Sequence, residues 1–201
     1  MLLALVLQAA TPQTAVDAER AFNAAAQATG QWTAFREFAA PGAVVFTPQP
    51  EKVELALPTK NPPIAVQWWP AESYVSCDGS QAVNTGPWVQ PKSSGYFTTV
   101  WVRQADGRYK WAMDGGDRLS TPRALPARPK VRRASCHGKP PKIEFEPCPG
   151  DRLQCYAETS PDGTLVWDWR VGADGARTFT ARLWNGRDFD QVIRNEVAAP
   201  K

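Results

Sequence analysis

Three short turns constrain the fold of this chain more than any other feature. Asp106-Gly107, Asp174-Gly175 and Asn185-Gly186 each stand between runs in which apolar and polar residues alternate, such as 95–104 and 108–116. Alternation predicts half-buried strands, and Asp-Gly or Asn-Gly supplies the positive φ that a tight hairpin needs. Much of the chain is therefore expected to form antiparallel hairpins.

Composition indicates a folded, β-rich protein with many short elements. The 201 residues are 43% hydrophobic and 21% charged, which is typical of globular proteins. Nine tryptophans supply large apolar surfaces for a core, and nineteen prolines disfavour long helices.

Helices are predicted near the N-terminus. Residues 14–29 have apolar residues at helical spacing, with Thr14 and Asp17 as a capping box and Gly30 as a stop. Residues 31–39 form a second, shorter helix with an aromatic stripe. Helices followed by a run of strands favour an α+β fold with the helices on one face of an antiparallel sheet.

The expected organisation has four parts. A small antiparallel β meander is expected at the C-terminal end, and it is too short to build a strong core alone, so it should pack on the first domain or be held by disulfides. The parts are an N-terminal signal or apolar arm at 1–13, an α+β domain at 14–120, a basic proline-rich linker at 121–143 and the meander at 144–201.

The linker concentrates positive charge without an acidic residue. The default interpretation is a solvated linker, and the alternative is contact with nucleic acid or anionic lipid. An envelope interaction protein would act through this linker and the C-terminal meander. No aromatic residue interleaves the run and no nucleic-acid-binding motif accompanies it, so nucleic acid is not an expected partner. The basic residues are Arg123, Arg128, Lys130, Arg132, Arg133, Lys139 and Lys142.

The first residues, MLLALVLQAATPQTA, contain a short apolar run followed by small residues. This pattern resembles the apolar part of a secretory signal, although no Lys or Arg precedes it and it lacks a clear small-x-small cleavage site. The alternative is an apolar N-terminal arm. The run is too short to span a bilayer, and no other segment could do so. We expect a periplasmic or secreted protein without an integral membrane segment.

Four cysteines, Cys77, Cys136, Cys148 and Cys155, fit an exported protein held by disulfides. Two disulfides allow three pairings, which the sequence does not distinguish. Free thiols are an alternative. A zinc site would need His137 beside Cys136 and lacks the usual C-x2-C spacing, so no metal is expected.

The order of five short motifs resembles a known superfamily over residues 14–118, a little over half of the chain. The resemblance is to the nuclear transport factor 2-like superfamily, in particular its SnoaL-like, ketosteroid-isomerase-like bacterial branch of uncharacterised function. It implies a cone-shaped, strongly curved sheet around the helices, a pocket at the open end and a homodimer formed through the outer face of the sheet. The motifs are A-E-R-A-F-N (18–23), W-T-A-F-R-E-F (32–38), T-G-P-W (85–88), G-Y-F-T-T-V-W (95–101) and D-G-R-Y-K-W-A-M-D-G-G (106–116).

Enzymes of this superfamily place a carboxylate in an apolar pocket, and Asp114 is the candidate here. Strict alternation puts Tyr109, Trp111 and Met113 on one face of the strand and Asp114 on the other. Asp114 with Tyr74 or Tyr96 could act as base and hydroxyl donor of a ketosteroid-isomerase-like isomerase or dehydratase. The alternative is that Asp114 ends a strand and organises the following glycine turn.

Other catalytic arrangements are weaker. The single histidine, His137, lies in the linker, so a carboxylate–histidine dyad is absent from the predicted domain. Asp114, Asp117 and Arg118 crowd one strand end, whereas an epoxide-hydrolase-like set draws on several strands. A nucleophile at Ser135 or Cys136 beside His137 lacks a third group to orient it.

Aromatic residues could line a pocket for a flat apolar ligand. Trp68 and Trp69 cannot both point inward from one strand, so one of them lies at a surface. We expect a ligand-binding or associating protein rather than an enzyme, with a small apolar molecule as partner and no cofactor. The expected pocket residues are Trp32, Phe35, Trp69, Tyr74, Trp88, Tyr96 and Trp101.

Overall fold

The computed structural model describes residues 13–148 and 154–200 and has an α+β fold. Most of the predicted arm at 1–13 lies outside the described residues. The Thr14 side chain accepts a hydrogen bond from the Asp17 backbone, and the Asp17 side chain accepts one from the Thr14 backbone, which confirms the predicted capping box. The helices are α1 (Ala15–Thr29), α2 (Gln31–Phe38) and the short α3 (Val53–Ala56).

The larger sheet has eight strands in the order β2-β1-β7-β6-β5-β4-β8, with β3 paired to β5. Consecutive strands from β4 to β7 form antiparallel pairs, and the turn at Asp106-Gly107 joins β6 to β7 as predicted. The strands are β1 (Ala39–Phe46), β2 (Pro50–Lys52), β3 (Gln67–Trp68), β4 (Glu72–Val75), β5 (Gln81–Gln90), β6 (Ser93–Arg103), β7 (Tyr109–Leu119) and β8 (Lys130–Arg133).

This sheet is mixed, so the expectation of a wholly antiparallel sheet was wrong. Strand β1 runs parallel to β7, and β8 runs parallel to β4. A hairpin turn fixes the direction of consecutive strands only, and these two pairs join strands that are distant in sequence. Strand β8 also shows that the predicted linker at 121–143 contributes to the sheet.

The C-terminal residues form a separate four-stranded antiparallel sheet in the order β12-β11-β10-β9, which confirms the predicted meander. Its turns carry the expected glycines, with a positive φ of 85° at Gly175 and 103° at Gly186. The strands are β9 (Cys155–Thr159), β10 (Leu165–Val171), β11 (Arg177–Trp184) and β12 (Phe189–Val197).

Two apolar cores lie on opposite faces of the larger sheet. The helix-side core joins α1 and α2 to the sheet around Phe22, Trp68, Trp101 and Trp111. The inter-sheet core joins the sheet to the C-terminal sheet and contains Val44, Val83, Val100, Met113, Leu165, Trp167, Trp169, Phe179, Ala181, Leu183, Trp184 and Ile193. The C-terminal sheet thus covers the face through which the resemblance implied a homodimer.

All four cysteines form disulfides. Cys77 pairs with Cys136, with 5.2 Å between the Cα atoms, and Cys148 pairs with Cys155, with 5.6 Å. The first disulfide connects the end of β4 to the segment after β8, next to the C-terminal sheet. These bonds use the thiols that a zinc site or a cysteine nucleophile would require.

Candidate functional site

A cavity of about 540 Å³ opens between α2 and the larger sheet. This volume is within the range of small-molecule sites, roughly 300–1,000 Å³. Most of its wall is aromatic or aliphatic, and its polar side chains include two carboxyls and two guanidinium groups. The lining residues are Gln31, Trp32, Phe35, Val45, Phe46, Thr47, Pro48, Val66, Trp68, Trp88, Gln90, Tyr96, Phe97, Asp114, Gly115, Gly116, Asp117, Arg118 and Arg177.

Four of the seven aromatic residues expected at a pocket lie together in this wall: Trp32, Phe35, Trp88 and Tyr96. Asp114, the expected carboxyl, lines the same cavity. The rings come from α2, β5 and β6, so residues distant in sequence meet at one end of the larger sheet. An aromatic wall of this kind suits a flat, apolar molecule, since large rings shape the cavity and supply dispersion contact.

The other three expected residues lie elsewhere. Trp101 is fully buried in the helix-side core. Tyr74 packs against the inter-sheet core and donates a hydrogen bond to Glu72 over 2.8 Å. Trp69 follows β3, and its neighbour Trp68 turns inward to line the cavity instead.

A β-bulge in β7 determines which way Asp114 points. Trp111 pairs with Trp101 of β6, whereas Met113 pairs with the adjacent residue, Val100. Two residues of β6 therefore face three of β7, and Ala112 is the extra one. Such a bulge reverses the alternation of side chains beyond it.

The predicted faces of β7 were wrong for this reason. Trp111 packs in the helix-side core, but Met113 packs in the inter-sheet core on the opposite face. Beyond the bulge Asp114 returns to the same face as Trp111, where it lines the cavity. A strictly alternating strand would have turned Asp114 away from the cavity.

The environment of Asp114 favours its protonated form. Burial raises the pKa of this carboxyl to about 7, although a hydrogen bond from Thr99 opposes the shift. The Thr99 hydroxyl lies 2.6 Å from Asp114 Oδ2. A carboxyl with a pKa near neutrality can both accept and donate a proton under ordinary conditions.

A second carboxyl, Glu19 of α1, is completely buried in the helix-side core. It accepts hydrogen bonds from Trp101 Nε1 at 2.7 Å, Trp68 Nε1 at 2.8 Å and Asn84 Nδ2 at 3.1 Å. Burial raises the pKa of Glu19 to about 8, with the charge of Asp114 adding to the shift and the hydrogen bonds opposing it. Trp68 thus connects Glu19 to the cavity, because its ring also lines the wall.

Sequence reasoning overlooked Glu19, although a signal for it was present. Ala15, Ala18 and Phe22 form the apolar stripe of α1, and all three are buried. Glu19 follows Ala15 by four residues and precedes Phe22 by three, so it lies on the same stripe. An acidic residue inside an apolar stripe indicates either a buried, hydrogen-bonded carboxyl or an incorrect helix assignment.

The C-terminal sheet also reaches the cavity. Arg177, the first residue of β11, lines the wall, and its guanidinium lies 5.5 Å from the ring centre of Phe46. Asp117 and Arg118 of β7 lie in the same wall. Asp117 and Arg177 both influence the pKa of Tyr96, which burial raises above its ordinary value. Positive and negative charges therefore meet near this edge of the cavity.

Part of the basic linker contributes to intramolecular contacts. The Arg123 guanidinium stacks 3.7 Å above the ring centre of Tyr96 and donates a hydrogen bond to Asn195 over 2.7 Å. Arg132 forms an ion pair with Asp190 of the C-terminal sheet. These arginines attach the linker to both sheets, which reduces the charge available to an external anionic surface.

Comparison with protein-family models, with curated proteins and with solved structures finds no match. Within residues 13–148 and 154–200, no helix has both the length and the apolar content to cross a bilayer.

Proposed function

We propose that this protein binds a small, largely apolar molecule in the cavity, with Asp114 meeting a polar group of that molecule. The observation that carries the proposal is an aromatic-walled cavity of about 540 Å³ with a half-buried carboxyl in its wall. Apolar walls supply affinity through burial, and a small number of polar groups fix orientation.

The fold supports an extension of this proposal. Helices on one face of the larger sheet and a cavity at its end are compatible with the cone of the nuclear transport factor 2-like superfamily. Two disulfides suit an oxidising compartment, so we propose that the protein acts in the periplasm or outside the cell. A homodimer would need a surface other than the one that the C-terminal sheet covers.

Binding can be tested with N-phenyl-naphthylamine, a neutral probe whose fluorescence rises in apolar surroundings. Trp32→Ala removes a large ring from the wall, and we expect it to weaken binding by about 1 to 3 kcal/mol. Tyr156→Ala is the matched control, since Tyr156 is an exposed aromatic residue of β9 that does not line the cavity. Equal affinities in the wild type and both variants would contradict the proposal.

Native mass spectrometry of protein purified from its natural host gives a second test. A bound small molecule should appear as added mass that is lost on denaturation. The same sample would show whether the residues before 13 have been removed, which tests the proposed export separately from binding.

A second candidate function is proton transfer at carbon by Asp114. The specific observation in its favour is a pKa of about 7 for a carboxyl in the wall of a cavity that Tyr96 also lines. Asp114 could remove a proton next to a carbonyl, while Tyr96 donates a hydrogen bond to the carbonyl oxygen. This is the ketosteroid-isomerase-like alternative.

The two functions can be separated with a β,γ-unsaturated ketone of suitable size. Isomerisation to the conjugated ketone is followed by ultraviolet absorbance. If Asp114 is a base, Asp114→Asn should abolish turnover without abolishing binding of the neutral probe, whereas Asp117→Asn should retain turnover. If the wild type binds the neutral probe but does not isomerise the ketone, proton transfer is rejected and ligand binding remains the proposed function.

A further inference from the structure

We propose that the ligand of this cavity carries an anionic group, such as a carboxylate, sulfonate or phosphate, and that Arg177 binds that group. This inference rests on the proposed binding function and specifies the chemistry of the ligand. It also gives the C-terminal sheet a role in recognition, because Arg177 comes from β11 rather than from the strands that form most of the wall.

Strand β1 ends beside the part of the cavity wall that includes Arg177. Strand β1 pairs with β7 as far as Val45 opposite Asp114, and Phe46 is the last residue of β1. The next residues of β7, Gly115 and Gly116, line the cavity without side chains. The same two glycines also line a small void beside the C-terminal sheet, together with Arg177. The cavity and the inter-sheet region therefore meet at this point.

Arg177 differs from other half-buried arginines of the C-terminal half in its bonding. Arg182 pairs with Asp168 over 3.0 Å, and Arg123 donates hydrogen bonds to Thr85 and Asn195. The side chain of Arg177 makes no hydrogen bond or ion pair to any described residue, although it is half-buried and stacks near Phe46. The guanidinium nitrogens of Arg177 remain accessible, so they can donate hydrogen bonds to an acceptor on a ligand in the cavity, and Asp117 is the nearby carboxylate with which such an acceptor would compete.

Guanidinium groups favour anions with two adjacent oxygens, because the planar fork donates two parallel hydrogen bonds. Arg118 lines the same wall and adds positive charge, while Asp117 offsets part of it. An amphipathic acid would place its apolar body against Trp32, Phe35 and Trp88 and its anionic group at Arg177. The ligand class is thus an aromatic or aliphatic acid rather than a neutral hydrocarbon.

Two related probes test the anion site independently of the apolar binding function. Anilinonaphthalene sulfonate has the ring system of N-phenyl-naphthylamine plus one sulfonate. If Arg177 binds anions, the sulfonate should bind about tenfold more tightly than the neutral probe, as expected for a charge-assisted hydrogen bond. Displacement of one probe by the other checks that they share a site.

Arg177→Met should reduce this preference to about twofold or less, since a bidentate partner of the anion is lost. Arg177→Lys keeps the charge without the fork and should give an intermediate preference, and it replaces the first variant if that one fails to fold. Arg194→Met is the matched control, because Arg194 is an exposed residue of β12 paired with Glu196. It should preserve the preference.

The outcomes of these binding measurements distinguish the anion site from the apolar binding function. A sulfonate preference that disappears in the Arg177 variants and survives in the Arg194 variant supports the inference. Equal binding of both probes, or a preference that the Arg177 variants retain, overturns it and leaves the apolar binding function standing. Failure of both probes to bind the wild type overturns the binding function and the inference together.

Discussion

Replacing Glu19 by glutamine should change how stability depends on pH. Glu19 is completely buried, and its pKa rises from an ordinary value of 4.5 to about 8 in the folded protein. Between these two values the folded state holds a proton that the unfolded chain has lost. The free energy of unfolding therefore falls as pH rises towards and through the folded pKa.

The size of the effect follows from the two pKa values. Linkage gives a loss of about 2 to 3 kcal/mol between roughly pH 6 and pH 9 from Glu19 alone. Asp114, with a pKa of about 7, adds a loss of the same sign in both proteins. It therefore largely cancels when wild type and Glu19→Gln are compared. Glutamine cannot ionise, so the variant should lack the Glu19 part of the slope.

Urea unfolding followed by fluorescence, with the disulfides intact, measures this slope. Glu19→Gln should be less stable at low pH, because a glutamine amide leaves one of the Trp68, Trp101 and Asn84 donors without an acceptor, at a cost of about 1 to 3 kcal/mol. The decisive quantity is the change with pH. Glu51→Gln, at an exposed position, controls for the loss of one carboxylate. Parallel pH profiles for wild type and Glu19→Gln would refute a buried, protonated Glu19.

Three further perturbations test other contacts. Thr99→Val removes the hydrogen bond to Asp114 and should raise the Asp114 pKa above about 7, measured as the pH midpoint of its carboxyl carbon shift by nuclear magnetic resonance. Replacing both Cys77 and Cys136 by alanine frees a loop with a sequence separation of 59 residues and should lower the unfolding free energy by about 4 kcal/mol in urea titrations, more than loss of the shorter disulfide. Gly95→Ala would place a Cβ 2.0 Å from a backbone oxygen of β7, so it should lower the free energy of unfolding by at least about 2 kcal/mol. The thermal unfolding midpoint should fall, and an unchanged midpoint would contradict the close packing of these strands.

Local signals account for the part of the fold that could be predicted. The Thr14–Asp17 capping box and Gly30 set the bounds of α1, and glycines with positive φ close the hairpins. These signals act over a few residues and can be recognised in a single sequence. The parallel pairs β1–β7 and β4–β8 depend on distant segments meeting, and no turn specifies them.

For a similar reason, only part of the candidate site could be predicted from the sequence. Aromatic side chains were candidates by type, but strand geometry decides which of them faces the cavity, and Trp68 rather than Trp69 does so. The bulge at Ala112 reverses the face of Asp114. The extra residue in β7 cannot be recognised from the alternation of apolar and polar residues in the sequence. Arg177 reaches the wall from another sheet, a contact that local pattern cannot indicate.

The covered outer face of the larger sheet has a consequence for biosynthesis. A ribosome completes β1 to β7 before it makes the residues of β10 to β12, yet Val44, Val83, Val100 and Met113 share a core with those later strands. This apolar face stays uncovered by its partner sheet until β10 to β12 have been made. Exposed apolar surface of this kind makes the unfinished chain prone to aggregate.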